Sequence, residues 1–362
     1  MHIHSYEPKL DFSDVLMIPK TSSLDSRSDV DIFRTFKKKH SEGTLRVVPV
    51  IAANMDTTGT FAMAEALSHH GMMVALHKHY TVEEYVQHYK NSLANYMNSF
   101  YSMGIGDSDI DDLREFIEHD DPHLICIDVA NGYTEKFKNA VRTVRQMCPK
   151  AFIMAGNVVT PEKTEEIIIA GADCVKVGIG PGAVCTTRIK TGVGYPQFSA
   201  IVECADAAHG VDGFVCGDGG CTSPGDIAKA FGAGADFVML GSMFAGTDEC
   251  DGEKIHIDAD GSHLEPHWGS AHEDPLRPTH MRFYGMSSKT ANDRYAGGLD
   301  NYRAAEGKEV LVPYKGPVVE VVQDILGGVR SAMTYVGARK LKELTKRATF
   351  VIVNNQHNKF FD

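Results

Sequence analysis

Eight short apolar runs, separated by stretches with helical periodicity, restrict the fold of this chain more than any other feature. The runs lie at residues 48–53, 72–76, 97–102, 124–129, 152–155, 174–177, 213–216 and 237–240. Helical patterns between the later runs lie at residues 134–147, 161–170, 198–208 and 224–231. Strands that alternate with helices favour a parallel sheet, because a crossover helix returns the chain to the same end of the sheet. Eight such units predict a closed α/β (β/α)8 TIM barrel, with a doubly wound open sheet as the alternative.

Length and composition fit one large domain. The 362 residues carry a formal net charge of −12, which argues against nucleic acid and anionic membrane surfaces as partners. No apolar run approaches the length of a membrane span, and the first residues lack the pattern of a signal peptide. The eight cysteines show no C-x-x-C pair and no zinc-ligand spacing. We therefore expect a single domain over residues 1–362 in a reducing, cytoplasmic environment.

A glycine-rich loop that ends in a cysteine follows the sixth apolar run. Residues 178–188 read Gly-Ile-Gly-Pro-Gly-Ala-Val-Cys-Thr-Thr-Arg. Small residues allow the backbone to approach a ligand closely, and a thiolate is a strong nucleophile where nearby donors or cations lower its pKa. We predict that Cys185 is reactive. The other interpretation is a buried, structural cysteine, which we expect for the remaining seven.

The same loop also matches a dinucleotide-binding pattern. Residues 178–183 fit G-x-G-x-x-G/A, and Glu203 follows at a suitable distance. However, Pro181 stiffens the loop, the residues after it lack an apolar helix face, and Glu203 lies inside a helical pattern. We therefore do not interpret the loop as a dinucleotide fingerprint.

Polar or glycine-rich stretches follow seven of the apolar runs. They lie at residues 54–56, 77–79, 128–132, 156–157, 178–188, 218–220 and 241–242. In a barrel these positions meet at the carboxyl ends of the strands, where such folds carry their sites. Polar βα loops are common without any function, which is the simpler interpretation.

Two regions lie outside the repeat. Residues 248–280 are rich in Asp, Glu, His, Gly and Pro, which predicts a mobile, exposed insertion after the eighth strand. A helix here would bring His263 and His267 together, but Pro266 would disturb it, so solvated histidines are favoured over a metal site. The segment's histidines are His256, His263, His267, His272 and His280. A helical tail is expected at residues 331–344.

Motifs along almost the whole chain resemble the GMP reductases. They lie at residues 51–57, 77–80, 128–133, 180–188, 191–197, 199–209, 283–288 and 302–308. The sister family, IMP dehydrogenase, shares the barrel and the cysteine loop but usually carries two CBS modules after the second strand. Here residues 77–80 lead through a short helix to the third strand, which leaves no room for them. The segments 128–133 and 283–288 also resemble the reductase versions.

The resemblance implies NADPH-dependent conversion of GMP to IMP and ammonia through a thioimidate on Cys185. Two alternatives stay open: an IMP dehydrogenase without CBS modules, and a purine-nucleotide sensor without turnover. The insertion at 248–280 looks longer than the usual loop of the family. It contains Trp268, the only tryptophan, and either closes over the bound nucleotide or points away into solvent.

Site residues are implied by the same resemblance. Thr187 and Glu306 would relay a proton to the ammonia that leaves after attack by Cys185. Asp218 would bind the ribose, and the residues that would hold the phosphate are Gly219, Gly220, Gly241 and Ser242. The residues that would contact the base are Gly285, Met286, Ser287, Arg303, Ala304, Ala305, Glu306 and Gly307.

The resemblance also implies which residues bind the cofactor and a cation, and how the subunits assemble. The positions that match NADPH-binding residues are Ser26, Arg27, Lys78, Asp128, Val129, Ala130, Ile179, Gly180, Met286, Tyr302, Arg303, Ser331, Ala332, Met333 and Thr334. Of these, 331–334 are expected to reach the site of a neighbouring subunit in a homotetramer. A potassium ion is expected at the carbonyls of Gly180, Gly182 and Cys185, with Arg188.

Overall fold

Three short strands precede the barrel. The structure, a computed structural model, describes residues 7–257, 263–264, 278–299, 301–302 and 304–354. The first strands are β1 (Val15–Met17), β2 (Arg34–Lys37) and β3 (Thr44–Val47), and the 3-10 turns Phe12–Asp14 and Arg27–Asp29 lie among them. β2 and β3 form an antiparallel hairpin.

Eight parallel strands close into a barrel. They are β4 (Val50–Ala52), β5 (Met73–Ala75), β6 (Ser99–Met103), β7 (Leu124–Asp128), β8 (Phe152–Val158), β9 (Cys174–Val177), β10 (Phe214–Asp218) and β11 (Phe237–Leu240). Each strand pairs with the next, and β11 pairs with β4. The barrel prediction is confirmed, and the open sheet is wrong because no strand of this sheet is left at an edge. The third strand begins two residues later than predicted, because residues 97 and 98 still belong to a helix.

The β2–β3 hairpin closes the amino end of the barrel. Phe36 is 1 % exposed and stacks on Phe237 with ring centroids 4.3 Å apart, and it also packs edge-on against Phe214. Leu45 and Val47 of β3 belong to the same apolar cluster as the inward-facing residues of the barrel strands. Because this end is filled by side chains, a ligand can enter the barrel only from the carboxyl ends of the strands.

Helices surround the barrel. They are α1 (Phe61–Ser68), α2 (Val82–Asn91), α3 (Leu93–Asn98), α4 (Asp107–His119), α5 (Glu135–Met147), α6 (Pro161–Ala170), the short α7 (Thr187–Thr191), α8 (Gln197–Gly210) and α9 (Pro224–Gly232). α9 shows why these segments become helical: Ser223 accepts a hydrogen bond from the N–H of Asp226, and Pro224 occupies the first turn. Only residues 76–81 join β5 to α2, so no module is inserted there.

A second, antiparallel sheet follows the barrel. Its strands are β12 (Lys254–Ile257), β13 (His263–Leu264), β14 (His280–Tyr284) and β15 (Glu309–Pro313), in the order β13-β12-β14-β15. Residues 254–257 of the predicted insertion are therefore paired, since the buried Ile255 and Met281 give this sheet an apolar face. His267, Trp268 and His272 lie outside the described residues, and so does most of the proposed closing segment.

The C-terminal part differs from the sequence-based expectation. After α10 (Lys289–Tyr295), the long helix α11 (Val318–Val336) ends before Gly337, which has a φ of +72°. The helix predicted at 331–344 is therefore wrong in its bounds, because glycine in the left-handed region stops a helix. The chain continues through the 3-10 turn Leu341–Glu343, α12 (Leu344–Arg347) and β16 (Phe350–Ile352), which pairs with β1. In the described ranges, no helix combines the length and apolar character needed to cross a bilayer.

Candidate active site

The cysteine loop leaves the carboxyl end of β9 and packs directly against the end of β10. Gly178 has a φ of +155°, and a Cβ on it would lie 2.2 Å from the carbonyl oxygen of Asp218. No side chain fits in that space, so glycine is required for the loop to lie this close to β10. Pro181 and Gly182 in turn lie against Gly219. The predicted cysteine loop and the 218–220 stretch therefore meet at one place.

Cys185 differs from the other cysteines in its exposure. All eight cysteines lie within the described ranges, and Cys185 alone is half-buried whereas the other seven are buried, as predicted. Burial raises the pKa of Cys126 and of Cys148 to about 12, so these two thiols stay protonated at neutral pH. Cys185 is thus the cysteine that a ligand can reach.

A hydroxyl and a carboxylate form a chain with Cys185. Its Sγ lies 3.2 Å from Thr187 Oγ1, and the Thr187 hydroxyl donates a hydrogen bond to Glu306 Oε2 at 2.8 Å. Thr187 is the first residue of α7, two positions after the cysteine, whereas Glu306 comes from the segment before β15. The three residues predicted as catalytic therefore form one hydrogen-bonded unit.

Backbone hydrogen bonds hold Glu306 in place. The N–H of Thr186 donates to the Glu306 carbonyl at 2.8 Å, and the N–H of Lys308 donates to the Val184 carbonyl at 2.9 Å. The N–H of Glu306 donates to the backbone carbonyl of Ser287 at 3.1 Å. Residues 285–288 and 304–307, both predicted to contact a base, are in this way tied to the cysteine loop. Arg303 lies outside the described residues, and Tyr302 is 86 % exposed.

Asp218, the predicted ribose ligand, sits in a network of charges at the mouth of the barrel. Its Oδ2 accepts a hydrogen bond from Asn157 Nδ2 at 2.8 Å and lies 3.1 Å from Lys176 Nζ. Lys176 also donates to Asp128 Oδ1 at 2.5 Å. One lysine thus joins the predicted ribose ligand to a predicted cofactor ligand.

Sequence reasoning missed Lys176. Its side chain is 3 % exposed. Burial alone would lower the pKa of Lys176, but the charges of Asp128 and Asp218 raise it well above its usual value. Burial would likewise raise the pKa of Asp128, yet Lys176 lowers it overall. The sequence did contain a signal, since Lys176 lies inside the apolar run 174–177. A cation buried in a strand requires acidic partners, so its position predicts carboxylates nearby.

Replacing Lys176 with methionine is expected to destabilise the fold by about 3 to 5 kcal/mol, because it leaves two carboxylates close together without their shared cation. Urea unfolding measures this change. The exposed Lys136 provides the matched control, and Lys136→Met should change the free energy of unfolding by less than about 0.5 kcal/mol. Adding Asp128→Asn to Lys176→Met should recover part of the loss. Equal stability of Lys176→Met and the control would contradict the role of this ion cluster.

Backbone amides are available beside this network. Gly219 and Gly220 both have a φ of +86°. In the described part of the chain, the N–H groups of Gly220, Gly241 and Ser242 have no hydrogen-bond partner. Lys315 donates a hydrogen bond to the carbonyl of Met243 at 2.8 Å and so fixes the loop after β11, which carries Gly241 and Ser242. Free amides after the seventh and eighth strands fit a phosphate group, as in many barrels.

Hydrogen bonds connect the loop after β4 to β14 and α10, which follow the barrel in the chain. Asp56 is 2 % exposed, and its Oδ2 accepts hydrogen bonds from Tyr284 at 2.5 Å and Tyr295 at 2.8 Å. The ring of Tyr295 stacks on His79, with centroids 3.5 Å apart. The sequence placed residues 54–56 and 77–79 on the catalytic face, but gave no sign that β14 and α10 attach there.

Most of the predicted cofactor positions fall into two groups, apart from Met286, Tyr302 and Arg303 in the segments around α10. Asp128, Val129, Ala130, Ile179 and Gly180 lie at the ends of β7 and β9, and the nearby charge of Lys78 contributes to the lowered pKa of Asp128. Ser26, Arg27 and residues 331–334 lie where the Arg27–Asp29 turn packs on α11. Over the described residues, no hydrogen bond or ion pair joins this second group to the loops of Cys185, Asp218 or Glu306.

Carbonyl oxygens of the cysteine loop fit a monovalent cation. The Gly182 carbonyl accepts the N–H of Cys185 at 3.0 Å, whereas the carbonyls of Gly180 and Cys185 accept no hydrogen bond within the described ranges. Hard cations take such neutral oxygens. The guanidinium of Arg188 pairs with Asp11 at 3.2 Å, so only its backbone would be available. Elsewhere in the described part, no group of three His, Cys, Asp or Glu residues could hold a metal.

Fold and site together define a barrel enzyme that carries an accessible cysteine, a hydroxyl–carboxylate pair and unpaired backbone amides at the carboxyl ends of its strands. The family model described as "IMP dehydrogenase / GMP reductase domain" matches residues 9–359. The chain belongs to the IMP dehydrogenase/GMP reductase family, which consists of oxidoreductases.

Curated relatives match over nearly the whole length. The chain is 54 % identical over 357 residues to GMP reductase of Vibrio cholerae serotype O1 (strain M66-2), covering 98 % of both chains. It is 54 % identical over 354 residues to GMP reductase of Tolumonas auensis, covering 97 % of this chain and 96 % of the relative. It is 53 % identical over 354 residues to GMP reductase 1 of Homo sapiens, covering 98 % of this chain and 97 % of the relative.

Proposed function

We propose that this protein catalyses the NADPH-dependent reductive deamination of GMP to IMP, with release of ammonia. The observation that carries the proposal is the hydrogen-bonded chain from Cys185 through Thr187 to Glu306. The name of the curated relatives, GMP reductase, supports the substrate.

Covalent catalysis suits this substrate. The C2 atom of the guanine base is electrophilic but carries an amine, which is a poor leaving group. Attack by the Cys185 thiolate forms a C2–S bond, and departure of the amine then leaves a thioimidate. NADPH, when bound, supplies the hydride that C2 accepts. Breakage of the C2–S bond releases IMP and restores the thiolate, so two easier steps replace one difficult displacement.

Thr187 and Glu306 deliver the proton that the departing amine needs. Thr187 Oγ1 lies 3.2 Å from the sulfur that attacks C2 and 2.8 Å from the carboxylate. A proton on Glu306 therefore reaches the nitrogen on C2 through a single hydroxyl. Hydride transfer releases no amine, so this relay serves only the first half of the reaction.

Substrate recognition follows from the surrounding loops. The Asp218 carboxylate, held by Asn157 and Lys176, accepts hydrogen bonds from the ribose hydroxyls. The free amides of Gly220, Gly241 and Ser242, together with Gly219, hold the 5′-phosphate. Residues 285–287 and 304–307 contact the base, since their backbone bonds already fix them against the cysteine loop.

The residues present fit the proposed cofactor and cation. Lys78 is exposed at the end of β5 and suits a phosphate of NADPH. Ser26, Arg27, Ser331, Ala332 and Thr334 form a separate surface, which supports a homotetramer in which they complete the site of a neighbouring subunit. Met333 is fully buried and would only support this surface from below. The free carbonyls of Gly180 and Cys185 would hold potassium with Gly182 and Arg188. We place the enzyme in the cytoplasm, where its thiols stay reduced.

One experiment separates this function from the alternatives. The absorbance of the reduced nicotinamide is followed with GMP and NADPH, and in parallel with IMP and NAD⁺. Loss of NADPH with formation of IMP and ammonia is expected. Turnover only in the second mixture would indicate an IMP dehydrogenase. Binding of GMP without turnover in either mixture would indicate a nucleotide sensor.

A further inference from the structure

A cavity of about 600 Å³ lies at the amino end of the barrel, opposite the catalytic face. It is bounded by the β2–β3 hairpin, by the starts of β10 and β11 and by α12. The basic residues that line it are Arg34, Lys37, Lys38, Lys39, Lys342 and Lys346. Six lysine or arginine side chains thus face two aspartates, in a chain whose net charge is −12. The size is that of a small-molecule site.

One of the two aspartates is already neutralised. Asp236 is 3 % exposed, and its Oδ1 accepts a hydrogen bond from Arg34 at 2.8 Å while its Oδ2 pairs with His209, also at 2.8 Å. The hydrogen bond to Asp236 raises the pKa of His209. Asp236 therefore offsets the charge of Arg34, and the lysines supply the remaining positive charge of the cavity.

Three further cations have no partner. Within the described residues, the side chains of Lys37, Lys342 and Lys346 form no hydrogen bond and no ion pair. Like charges gathered around a cavity repel one another unless an anion lies between them. The free lysines therefore indicate an anionic ligand in the cavity.

The walls are rigid. Phe36, the neighbour of Lys37, is stacked on Phe237 inside the barrel, and the guanidinium of Arg34 lies 4.7 Å from the Phe36 ring centroid. Lys38 donates to the Lys150 carbonyl at 2.7 Å, and Lys39 donates to the Val211 carbonyl. Cations held by the fold in this way lose little entropy on binding a ligand.

We propose that this cavity binds a polyphosphate chain, either as inorganic polyphosphate or as the triphosphate of a nucleotide. A single phosphate would contact only part of the ring of cations. Linked phosphates would reach Lys37 on the hairpin, Lys342 in the 3-10 turn and Lys346 in α12 together. The site is separate from the proposed catalytic site, since the whole length of the barrel strands lies between them.

Calorimetry on the full-length protein with sodium tripolyphosphate tests the proposal. The variant Lys342→Glu/Lys346→Glu should bind tripolyphosphate at least about 10-fold more weakly, because it reverses two charges at the cavity. Its thermal unfolding should resemble that of the wild type, since both lysines are exposed. Lys136→Glu, on the outer side of α5, is the matched control and should bind like the wild type.

Titrations with other phosphate compounds distinguish inorganic polyphosphate from a nucleotide as the ligand. Tighter binding of a nucleoside triphosphate than of tripolyphosphate, with the same loss in the double variant, would assign the site to a nucleotide. Orthophosphate should bind more weakly than either. Absence of binding, equal binding by the double variant, or displacement of tripolyphosphate by GMP would overturn the proposal, the last because it would place the anion on the catalytic face.

Discussion

Replacing Cys185 with serine is expected to lower kcat for NADPH oxidation by at least about 1000-fold while GMP still binds. A serine hydroxyl is far less ionised than a thiol, so the bond to C2 does not form in either half-reaction. The proposed contacts to the phosphate and the ribose come from other loops, so they should be unchanged in this variant. Steady-state turnover measures the loss, and calorimetry with GMP measures the retained binding.

Cys148→Ser is the matched control for this variant. Cys148 is fully buried at the end of α5, so serine there costs some stability but leaves turnover per folded molecule unchanged. Turnover of Cys185→Ser near the wild-type rate would remove the nucleophile assignment. Loss of both turnover and GMP binding would indicate that Cys185 only supports the loop.

Replacing Glu306 with glutamine is expected to slow deamination by about 100- to 10,000-fold and hydride transfer by less than about 10-fold. Glutamine can still accept the hydrogen bond of Thr187, but it cannot supply a proton to the leaving amine. The two halves can be measured separately. IMP and NADP⁺ form the thioimidate and NADPH by hydride transfer alone, without ammonia, whereas GMP and NADPH require deamination first.

Glu309→Gln provides the comparison. Glu309 lies three residues further along the chain, where its carboxylate accepts a hydrogen bond from Thr290 at 2.6 Å at the surface. This variant should retain both half-reactions. If Glu306→Gln slowed the two halves equally, Glu306 would have no place in the proton relay, and a structural role through its contact with Thr187 would explain the loss.

Local sequence patterns were sufficient to predict the barrel and to distinguish Cys185 from the seven buried cysteines. A strand followed by a helix, repeated eight times, has few ways to bury all its apolar faces, and closure is one of them. Of the seven buried cysteines, Cys126, Cys174 and Cys216 lie in barrel strands and Cys204 lies on the apolar face of α8, which predicts their burial. The end of α11 was misjudged, because the apolar pattern continues through Ala338 and Leu341 although Gly337 stops the helix.

The pairings across the catalytic face were decided by the tertiary structure alone. Hydrophobic periodicity carries no information on which polar side chains of distant loops meet, so only the resemblance to a family suggested that Glu306 belongs with Thr187. Lys176, Asp128 and Asp218 come from three strands, and closure of the barrel brings their side chains together. The basic cavity arises in the same way, since the hairpin, the starts of β10 and β11 and α12 are far apart in sequence. By itself, the sequence determined the barrel strands, most of the helices around them and the glycine-rich loop that carries Cys185, because these depend on neighbouring residues. Long-range packing determined the charge clusters.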